Sequence, residues 1–210
     1  MALDESHLAN FIISKDSNFF IFISSIFVLL VTACNSPFIP KEKGYANFKF
    51  PEKTYQSYNA PNIPYTFEYP TYAFVDNQIN YFGENKSKDD WINIQFPSLN
   101  GTIYISYKKI KPQQLDTLIN DAYKFASNHS NKATYIADSV FTTSEGVHGV
   151  FFNIGGDVAT AYQFFLTDSS THFFRGALYF NTTPNADSLS IYNDFLFKDV
   201  QHLVNTFKWK

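Results

Sequence analysis

The run VHGVFFNIGGDVATAYQFFLTDSSTHFFRGALYFN at residues 147–181 determines what kind of domain this chain can form. It contains three segments in which both alternating sets of positions are largely apolar, a pattern typical of strands that are covered on both faces of their sheet. Gly-Gly-Asp and Asp-Ser-Ser separate the segments, and such residues favour turns. The run therefore predicts an antiparallel meander with strands at Val147–Ile154, Val158–Thr167 and His172–Asn181.

A helix is predicted before the meander. Pro112 suits the first helical position, and the helix should end near His129. Small residues in the meander, among them Gly149 and Gly176, leave room for a helix to approach the sheet closely. The apolar residues of this first helix recur at helical spacing: Leu115, Leu118, Ile119, Ala122, Phe125 and Ala126.

A second helix is predicted after the meander, within residues 184–210. Asp187-Ser188 or Asp194 can cap its first turn, and Trp209 should fix the end of the chain to the domain. Its apolar stripe contains Leu196, Val200, Leu203, Val204 and Phe207.

The region before the first helix contains further strands. Residues 65–69 read as a strand preceded by an extended arm, and residues 77–90 read as a polar loop. Apolar and polar residues alternate from Trp91 to Phe96 and again after Asn100-Gly101, a step that favours a hairpin because both residues accept a positive φ. Another strand is predicted from Tyr135 to Thr142.

The order of these elements predicts the fold class. Strands, a helix, an antiparallel meander and a second helix, with a sheet buried on both faces, give an α+β domain built as an α/β/α sandwich. This arrangement resembles the Mog1/PsbP-like fold.

The N-terminal region predicts a lipoprotein. The apolar run after Lys15 is shorter than the roughly 20 residues that a transmembrane helix needs, and it fits the about 7 to 15 residues of a secretory signal. Val31-Thr32-Ala33-Cys34 resembles the lipobox of bacterial lipoproteins, in which the cysteine is acylated. We expect a signal peptide over 1–34, lipidation at Cys34, a tether over 35–43 and one globular domain over 44–210. An ordinary secretory signal and a buried core thiol are the alternatives.

Composition excludes some classes of function. The net charge of -3 provides no basic field for nucleic acid. The chain has 24 Phe and 14 Tyr, which fit a β-rich core or, alternatively, an aromatic binding surface. The tether also lacks an acidic run after Cys34. Because such a run resembles the surface-export signal of Bacteroidetes lipoproteins, we expect the domain to face the periplasm.

The lack of recognisable catalytic motifs favours a protein that is not an enzyme. The sequence has no phosphate loop, no G-x-S-x-G elbow and no Cys or His pair at metal spacing, so we expect no metal and no cofactor. His148 and His172 can lie on one sheet face, and with Asp157 or Asp168 and a serine they would permit a hydrolase. Arg175 favours a structural salt bridge or a cation–π contact over anion binding.

Three D-[ST]-apolar triplets resemble the O-glycosylation site of Bacteroidetes. Their acceptor residues are Thr117, Ser139 and Ser188. Because short patterns recur by chance, glycosylation at these positions is an open hypothesis.

Many short motifs, in order, resemble the gliding motility lipoprotein GldD family. They include Lys43-Gly44-Tyr45, Trp91-Ile92-Asn93-Ile94 with Phe96-Pro97, Ile103–Tyr107, Phe173–Phe180 and Phe207-Lys208-Trp209-Lys210. The residues before Lys15, and the long polar segment from Tyr81 to Asp90, depart from the family pattern. The resemblance implies a cell-envelope lipoprotein needed for gliding and associated with the type IX secretion machinery, whose components would be its partners. The family implies no catalytic residue.

Three functions follow from these observations. The first is a lipid-anchored, non-enzymatic interaction domain of the gliding and secretion machinery. The second is a module that binds a small apolar or envelope ligand between the sheet and a helix, which a closed apolar cavity would support. The third is a hydrolase.

Overall fold

The central meander forms the middle of an antiparallel sheet in the computed structural model, which describes residues 49–77, 80–81, 84–85 and 91–210. In chain order the strands are β1 Tyr55–Tyr58, β2 Tyr65–Pro70, β3 Phe74–Asp76, β4 Asn80–Tyr81, β5 Glu84–Asn85, β6 Ile92–Phe96, β7 Gly101–Lys109, β8 Ala133–Thr142, β9 His148–Gly156, β10 Tyr162–Thr167, β11 His172–Phe180 and β12 Lys208–Trp209. The helices of the described residues are α1 Leu115–Ser127 and α2 Ala186–Thr206.

The described strands form one large sheet and two small ones. The large sheet has the order β3-β6-β7-β11-β10-β9-β8, and all its neighbours are antiparallel. Strand β7 therefore pairs with β11, although helix α1 and three strands separate them in sequence. A small antiparallel sheet of β1, β2 and β12 shares no strand pairing with the large sheet, and β4 pairs with β5.

Helix α1 packs against one face of the large sheet. Ala122 and Ala126 are buried with Val150, Phe152 and Phe165, which lie on alternate positions of β9 and β10. Successive residues of a strand point to opposite faces. The even-numbered residues of β9 and the odd-numbered residues of β10 therefore lie on the α1 face of the sheet.

Helix α2 and the small sheet cover the opposite face. Leu196, Val200 and Leu203 of α2 are buried in one cluster with strand residues such as Phe67 and Phe174. The fold is thus α+β with antiparallel sheets and a helix on each face of the large sheet, as predicted.

Three local expectations were wrong. The predicted β6–β7 hairpin forms and Asn100 has a positive φ of 52, but the turn is a 3-10 helix over Pro97–Leu99, and Gly101 begins β7 instead of adopting a positive φ. The cap of α2 is Asn185, whose side chain accepts a hydrogen bond from the backbone N–H of Ser188 at 2.9 Å. The side chains predicted to cap α2 lie inside it.

The third concerns the two histidines. His148 shares alternate positions with Val150 and Phe152 on the α1 face. His172 lies instead on the α2 face, where its ring stacks on Trp209 with centroids 4.8 Å apart. The two histidines therefore lie on opposite faces of the sheet.

Some expectations fall outside the described residues. These are the signal peptide, Cys34, the tether and most of the polar loop, of which only β4 and β5 are described. In the described ranges, no helix combines the length and the apolar character that crossing a bilayer requires.

Candidate functional site

An open cleft of about 500 Å³ lies beside α1, on the α1 face of the large sheet. Its floor is made by β6, β7 and β11, and one flank of α1 forms a wall. The helix packs mainly over β9, β10 and β11, so the neighbouring part of this face remains accessible.

The register of three strands places the floor residues side by side. Ser106 of β7 lies opposite Arg175 of β11, and one row along Asn93 of β6 lies opposite Tyr104 of β7. Along their strands, these four residues alternate with residues buried in the core on the α2 face. Residues 93, 104, 106 and 175 therefore all lie on the α1 face. The pairing of β7 with β11 thus creates this floor.

Arg175 is held in a defined orientation. Its guanidinium carbon lies 4.5 Å from the centroid of the Phe125 ring, and its Nη2 donates a hydrogen bond to Gln163 Oε1 at 2.7 Å. The expected cation–π contact is therefore confirmed. Because Phe125 belongs to α1 and Gln163 to β10, the guanidinium joins the helix to the sheet.

The charged groups of the described lining are predominantly cationic. Lys108 and Arg175 contribute positive charges, and Asp121 contributes the one carboxylate among the described lining residues. Burial lowers the pKa of the nearby His129 imidazole, and the positive charge of Arg175 lowers it further. Both effects favour a neutral His129 at neutral pH.

Aromatic side chains form much of the cleft lining. The rings of Tyr104 and Tyr179 meet edge to face with centroids 5.6 Å apart. Trp91 donates its indole N–H to the Tyr107 carbonyl at 3.2 Å, which fixes the orientation of the ring. Tyr104 and Phe125 are substantially exposed. The cleft therefore combines flat apolar surfaces with polar groups.

The predicted hydrolase residues do not meet. His148 Nδ1 lies 3.0 Å from Thr142 Oγ1, and His172 Nδ1 lies 2.7 Å from the Tyr107 hydroxyl. No serine is bonded to either imidazole in the hydrogen bonds of the described residues. The geometry gives the hydrolase alternative no support.

Of the two aspartates considered with them, Asp157 bonds to the start of α2 and Asp168 stabilises a turn. Asp157 accepts a hydrogen bond from the backbone N–H of Ala186 at 2.7 Å, at the start of α2. Asp168 accepts backbone N–H bonds from Ser170, Thr171 and His172. Burial alone would raise the pKa of the Asp168 carboxyl, but these bonds outweigh it and hold the pKa below its ordinary value.

A buried charge network lies on the α2 side and was not predicted from the sequence. Asp199 is 1% exposed, and it accepts hydrogen bonds from Lys53 Nζ at 2.7 Å, from the Tyr55 hydroxyl at 2.9 Å and from the Tyr72 hydroxyl. Lys53 also donates to the Phe195 carbonyl at 3.0 Å. An aspartate at a core position of a helix stripe is the signal that could have indicated it.

The titration behaviour of the network follows from its burial. Burial and the Asp199 carboxylate raise the pKa of Tyr55 to about 12, and the same causes raise the pKa of Tyr72. Burial lowers the pKa of Lys53, although the bond and the charge of Asp199 act in the opposite direction. The network fastens the segment before β1 to α2, so its role is structural.

A second accessible feature is the edge strand β8. Within the described residues no strand pairs with its outer side. Its side chains are mostly exposed, with Val140 at 77% and Tyr135 at 52%. Tyr123 of α1 lies beside it and donates to Asp138 at 3.0 Å. We call the exposed apolar residues here the β8 surface: Tyr123, Ile136 and Val140 on the α1 face, and Tyr135 on the opposite face of the same edge.

The predicted modification sites are placed as follows. Thr117 lies on α1, Ser139 on β8 and Ser188 in the first turn of α2, and all three are exposed. Their side chains are accessible to a modifying enzyme, and glycosylation at these positions stays a prediction. Lipidation of Cys34 also stays a prediction. Among the described residues no group of three or more His, Cys, Asp or Glu side chains is arranged to hold a metal ion.

The chain is similar to a known protein family in sequence and to two solved structures in fold. A family model described as "Gliding motility lipoprotein GldD" matches residues 35–209. No curated protein matches the chain. Among solved structures, the chain is similar to the PsbP protein of the cyanobacterium Synechocystis (CyanoP), with 10% identity and a TM-score of 0.48 over 79% of this chain and 98% of that one.

It is also similar to the Ran-binding protein Mog1p of Saccharomyces cerevisiae, with 12% identity and a TM-score of 0.37 over 75% of this chain and 96% of that one. These two similarities concern the fold alone and imply nothing about function.

Proposed function

The chain belongs to the gliding motility lipoprotein family GldD, and we propose that it is a lipid-anchored, non-enzymatic component of the gliding and type IX secretion machinery. In this proposal Cys34 carries the acyl chains, the domain faces the periplasm, and other envelope proteins of the machinery are its partners. Two or more acyl chains hold a protein firmly at a bilayer, whereas one holds it only marginally.

The observation that carries the proposal is the β8 surface. An exposed edge strand presents unpaired backbone N–H and C=O groups, and soluble proteins usually protect such edges with charges, prolines or short length. Strand β8 spans Ala133–Thr142 and contains no proline and no lysine. Its single charged residue, Asp138, accepts a hydrogen bond from Tyr123, and Val140 and Tyr135 are exposed. A partner strand added here would satisfy the backbone groups and bury the apolar side chains.

Crosslinking in motile cells tests the proposal. A photo-crosslinking residue at Val140 should capture envelope proteins, whereas the same residue at the exposed Ser98, in the β6–β7 turn, serves as the matched control. If Val140 gives no more crosslinked protein than Ser98, the β8 surface is not the contact.

Anchoring is tested separately. Metabolic labelling with a palmitate analogue should mark the wild-type chain and leave Cys34→Ala unmarked. The Cys34→Ala protein should leave the membrane fraction and lose the Val140 crosslinks. An unlabelled wild-type chain would refute the lipid anchor, and digestion of the domain by protease added to intact cells would contradict a periplasmic orientation.

Ligand binding is a second candidate function, which the cleft beside α1 supports. Its volume of about 500 Å³ lies in the range of roughly 300 to 1,000 Å³ that is typical of small-molecule sites. The cleft is open and polar at its floor, unlike the closed apolar cavity that this function would have favoured.

A further inference from the structure

The outer edge of β8 presents the backbone groups of its even-numbered residues. Just past β8, Thr143 donates its backbone N–H to the Val147 carbonyl at 2.9 Å, which fixes the hydrogen-bonding phase of the β8–β9 pair. Because bonded residues recur at every second position of an antiparallel pair, the odd-numbered residues of β8 bond to β9. The N–H and C=O groups of Ile136, Asp138 and Val140 therefore point away from β9.

A hydrogen bond in the next strand pair gives the same phase. Ile154 of β9 donates its N–H to the carbonyl of Ala161, directly before β10, at 2.9 Å, so the even-numbered residues of β9 bond toward β10. The odd-numbered residues of β9 remain for β8, and they lie opposite the odd-numbered residues of β8. Since no described strand pairs with the other side of β8, a strand added there would bond to its even-numbered residues.

The same even-numbered residues carry their side chains on the α1 face of the sheet. Asp138 lies opposite Phe152, whose ring meets that of Tyr123 on α1 edge to face with centroids 4.9 Å apart. Ile136 and Val140 lie on the same face, on either side of Asp138, and are 38% and 77% exposed. An added strand would therefore meet an apolar, an acidic and an apolar side chain at alternate positions.

The acidic position has no cation beside it. None of the ion pairs among the described residues includes Asp138, whose carboxylate accepts a hydrogen bond from the Tyr123 hydroxyl at 3.0 Å. Burial raises the pKa of Tyr123, and the bond and the charge of Asp138 raise it further. Asp116 lies about two helical turns before Tyr123, and so on the same side of α1. This side of the helix therefore adds negative charge to that of the strand.

A second copy of the chain fits this edge less well than a different protein does. In a symmetric antiparallel pair, the register that sets Ile136 opposite Val140 also sets the two Asp138 residues opposite each other. Like charges directly opposite destabilise a strand pair, whereas opposite charges stabilise it. The charge at the middle of β8 therefore favours a partner strand with a cation at this position.

We propose that β8 pairs with a strand of another protein in which an apolar residue, a lysine or arginine, and a second apolar residue alternate on the side that faces α1. The added strand is antiparallel to β8, as neighbouring strands of the large sheet are. Its cation lies opposite Asp138, and its apolar residues lie opposite Ile136 and Val140. The inference rests on the proposed function and names the chemistry of the partner. Main-chain bonds supply affinity in such a contact, and the alternate side chains supply specificity.

Crosslinking from Val140 in motile cells, followed by mass spectrometry of the crosslinked peptide, tests the chemistry of the partner. The captured segment should contain the alternating apolar, basic and apolar residues. Asp138→Asn should lower the Val140 crosslink yield about two- to five-fold, because an opposite-charge pair across two strands is worth about that factor. Asp138→Lys should lower the yield further, since it places like charges opposite each other.

Two comparisons make the charge test specific. Glu52→Lys makes the same change of charge at an exposed residue, in the segment that Lys53 fastens to α2, and should leave the Val140 crosslink yield unchanged. Replacing the captured cation of the partner by glutamate should lower the yield. Combining that replacement with Asp138→Lys should restore it, because the two charges are then opposite again.

Proline tests the backbone bonds separately from the charge. Ile136→Pro removes an outward-pointing N–H, a change that edge strands tolerate, whereas Ile136→Ala keeps the N–H. The Val140 crosslink yield should be about five-fold lower in Ile136→Pro than in Ile136→Ala, because one backbone hydrogen bond is worth about that factor. Near-UV circular dichroism of the purified full-length variants shows whether both fold, and the charge variants decide the question if the proline variant does not.

Three results would overturn the proposal. They are an unchanged Val140 crosslink yield in Asp138→Lys, a captured segment without a cation at the middle position, and capture of a second copy of the chain. In each case crosslinks persist, so β8 remains a contact surface and the interaction role stands. A Val140 yield no higher than that of the Ser98 control would instead refute the proposed function, and the partner strand with it.

Discussion

Removing Lys53 should destabilise the domain because it leaves a carboxylate buried without its cation. Asp199 is 1% exposed and Lys53 is 25% exposed, with 2.7 Å between Nζ and Oδ1. Breaking a buried ion pair by removing one partner typically costs about 3 to 5 kcal/mol. In Lys53→Met the hydroxyls of Tyr55 and Tyr72 still donate to Asp199, and Lys53 was partly solvated, so we expect about 2 to 3 kcal/mol.

Thermal unfolding measures this loss. For a domain of this size about 1 kcal/mol corresponds to roughly 2 to 4 °C in Tm, so a loss of about 2 to 3 kcal/mol should lower the Tm of Lys53→Met by about 4 to 12 °C. Near-UV circular dichroism of the full-length protein in detergent reports the transition. Lys198→Met is the matched control, because Lys198 is exposed on α2 beside Asp199. This control should change the free energy of unfolding by no more than about 0.5 kcal/mol.

A double variant separates the orphaned charge from lost packing. In Lys53→Met/Asp199→Asn the negative charge is gone, while the amide oxygen can still accept from Tyr55 or Tyr72. The double variant should therefore melt above Lys53→Met alone. Two results would contradict this reasoning: a Tm of Lys53→Met equal to that of the Lys198→Met control, or a further fall in Tm when Asp199→Asn is added. In either case an uncompensated buried charge is not the cause of the lost stability.

Three further predictions concern turns and caps. The folded-state pKa of Asp168 is lowered, so its contribution is present above the unfolded pKa and is lost as the pH falls through the folded one. Asp168→Asn should therefore lower the free energy of unfolding by about 0.5 kcal/mol near neutral pH, after allowance for solvent screening. In acid the variant and the wild type should have the same free energy of unfolding, as measured by urea melts over a series of pH values. Gly156→Ala should cost about 2 kcal/mol or more by the same melts, because φ is +108 and a Cβ would lie 2.5 Å from the Lys132 carbonyl oxygen. At Gly146 φ is +73, and a Cβ added there would meet no atom within 4 Å apart from its chain neighbours. Gly146→Ala should therefore cost only about 1 kcal/mol of stability. Asn185→Ala should cost about 1 kcal/mol and Asn185→Asp much less, measured by Tm, because only the alanine leaves the Ser188 N–H without its acceptor.

The sequence determined the elements whose signals are local. The meander, both helices and the Asp168 turn were predicted because periodicity and turn chemistry act over a few residues. The fold class followed, since a sheet with two apolar faces needs cover on both sides. The family was likewise readable from ordered short motifs, and the match over residues 35–209 confirms it.

Tertiary structure alone decided what those elements bring together. Lys53 and Asp199 are 146 residues apart in sequence, and no local pattern around either residue predicts that they form an ion pair. His148 and His172 fall on opposite faces because a shift of one residue in register reverses a strand's side chains. The cleft exists because β7 pairs with β11, which sets Lys108 and Ser106 beside Phe173 and Arg175. Sheet order is a property of the whole chain, since it depends on which long-range pairings bury the most apolar surface together, and local sequence does not encode it.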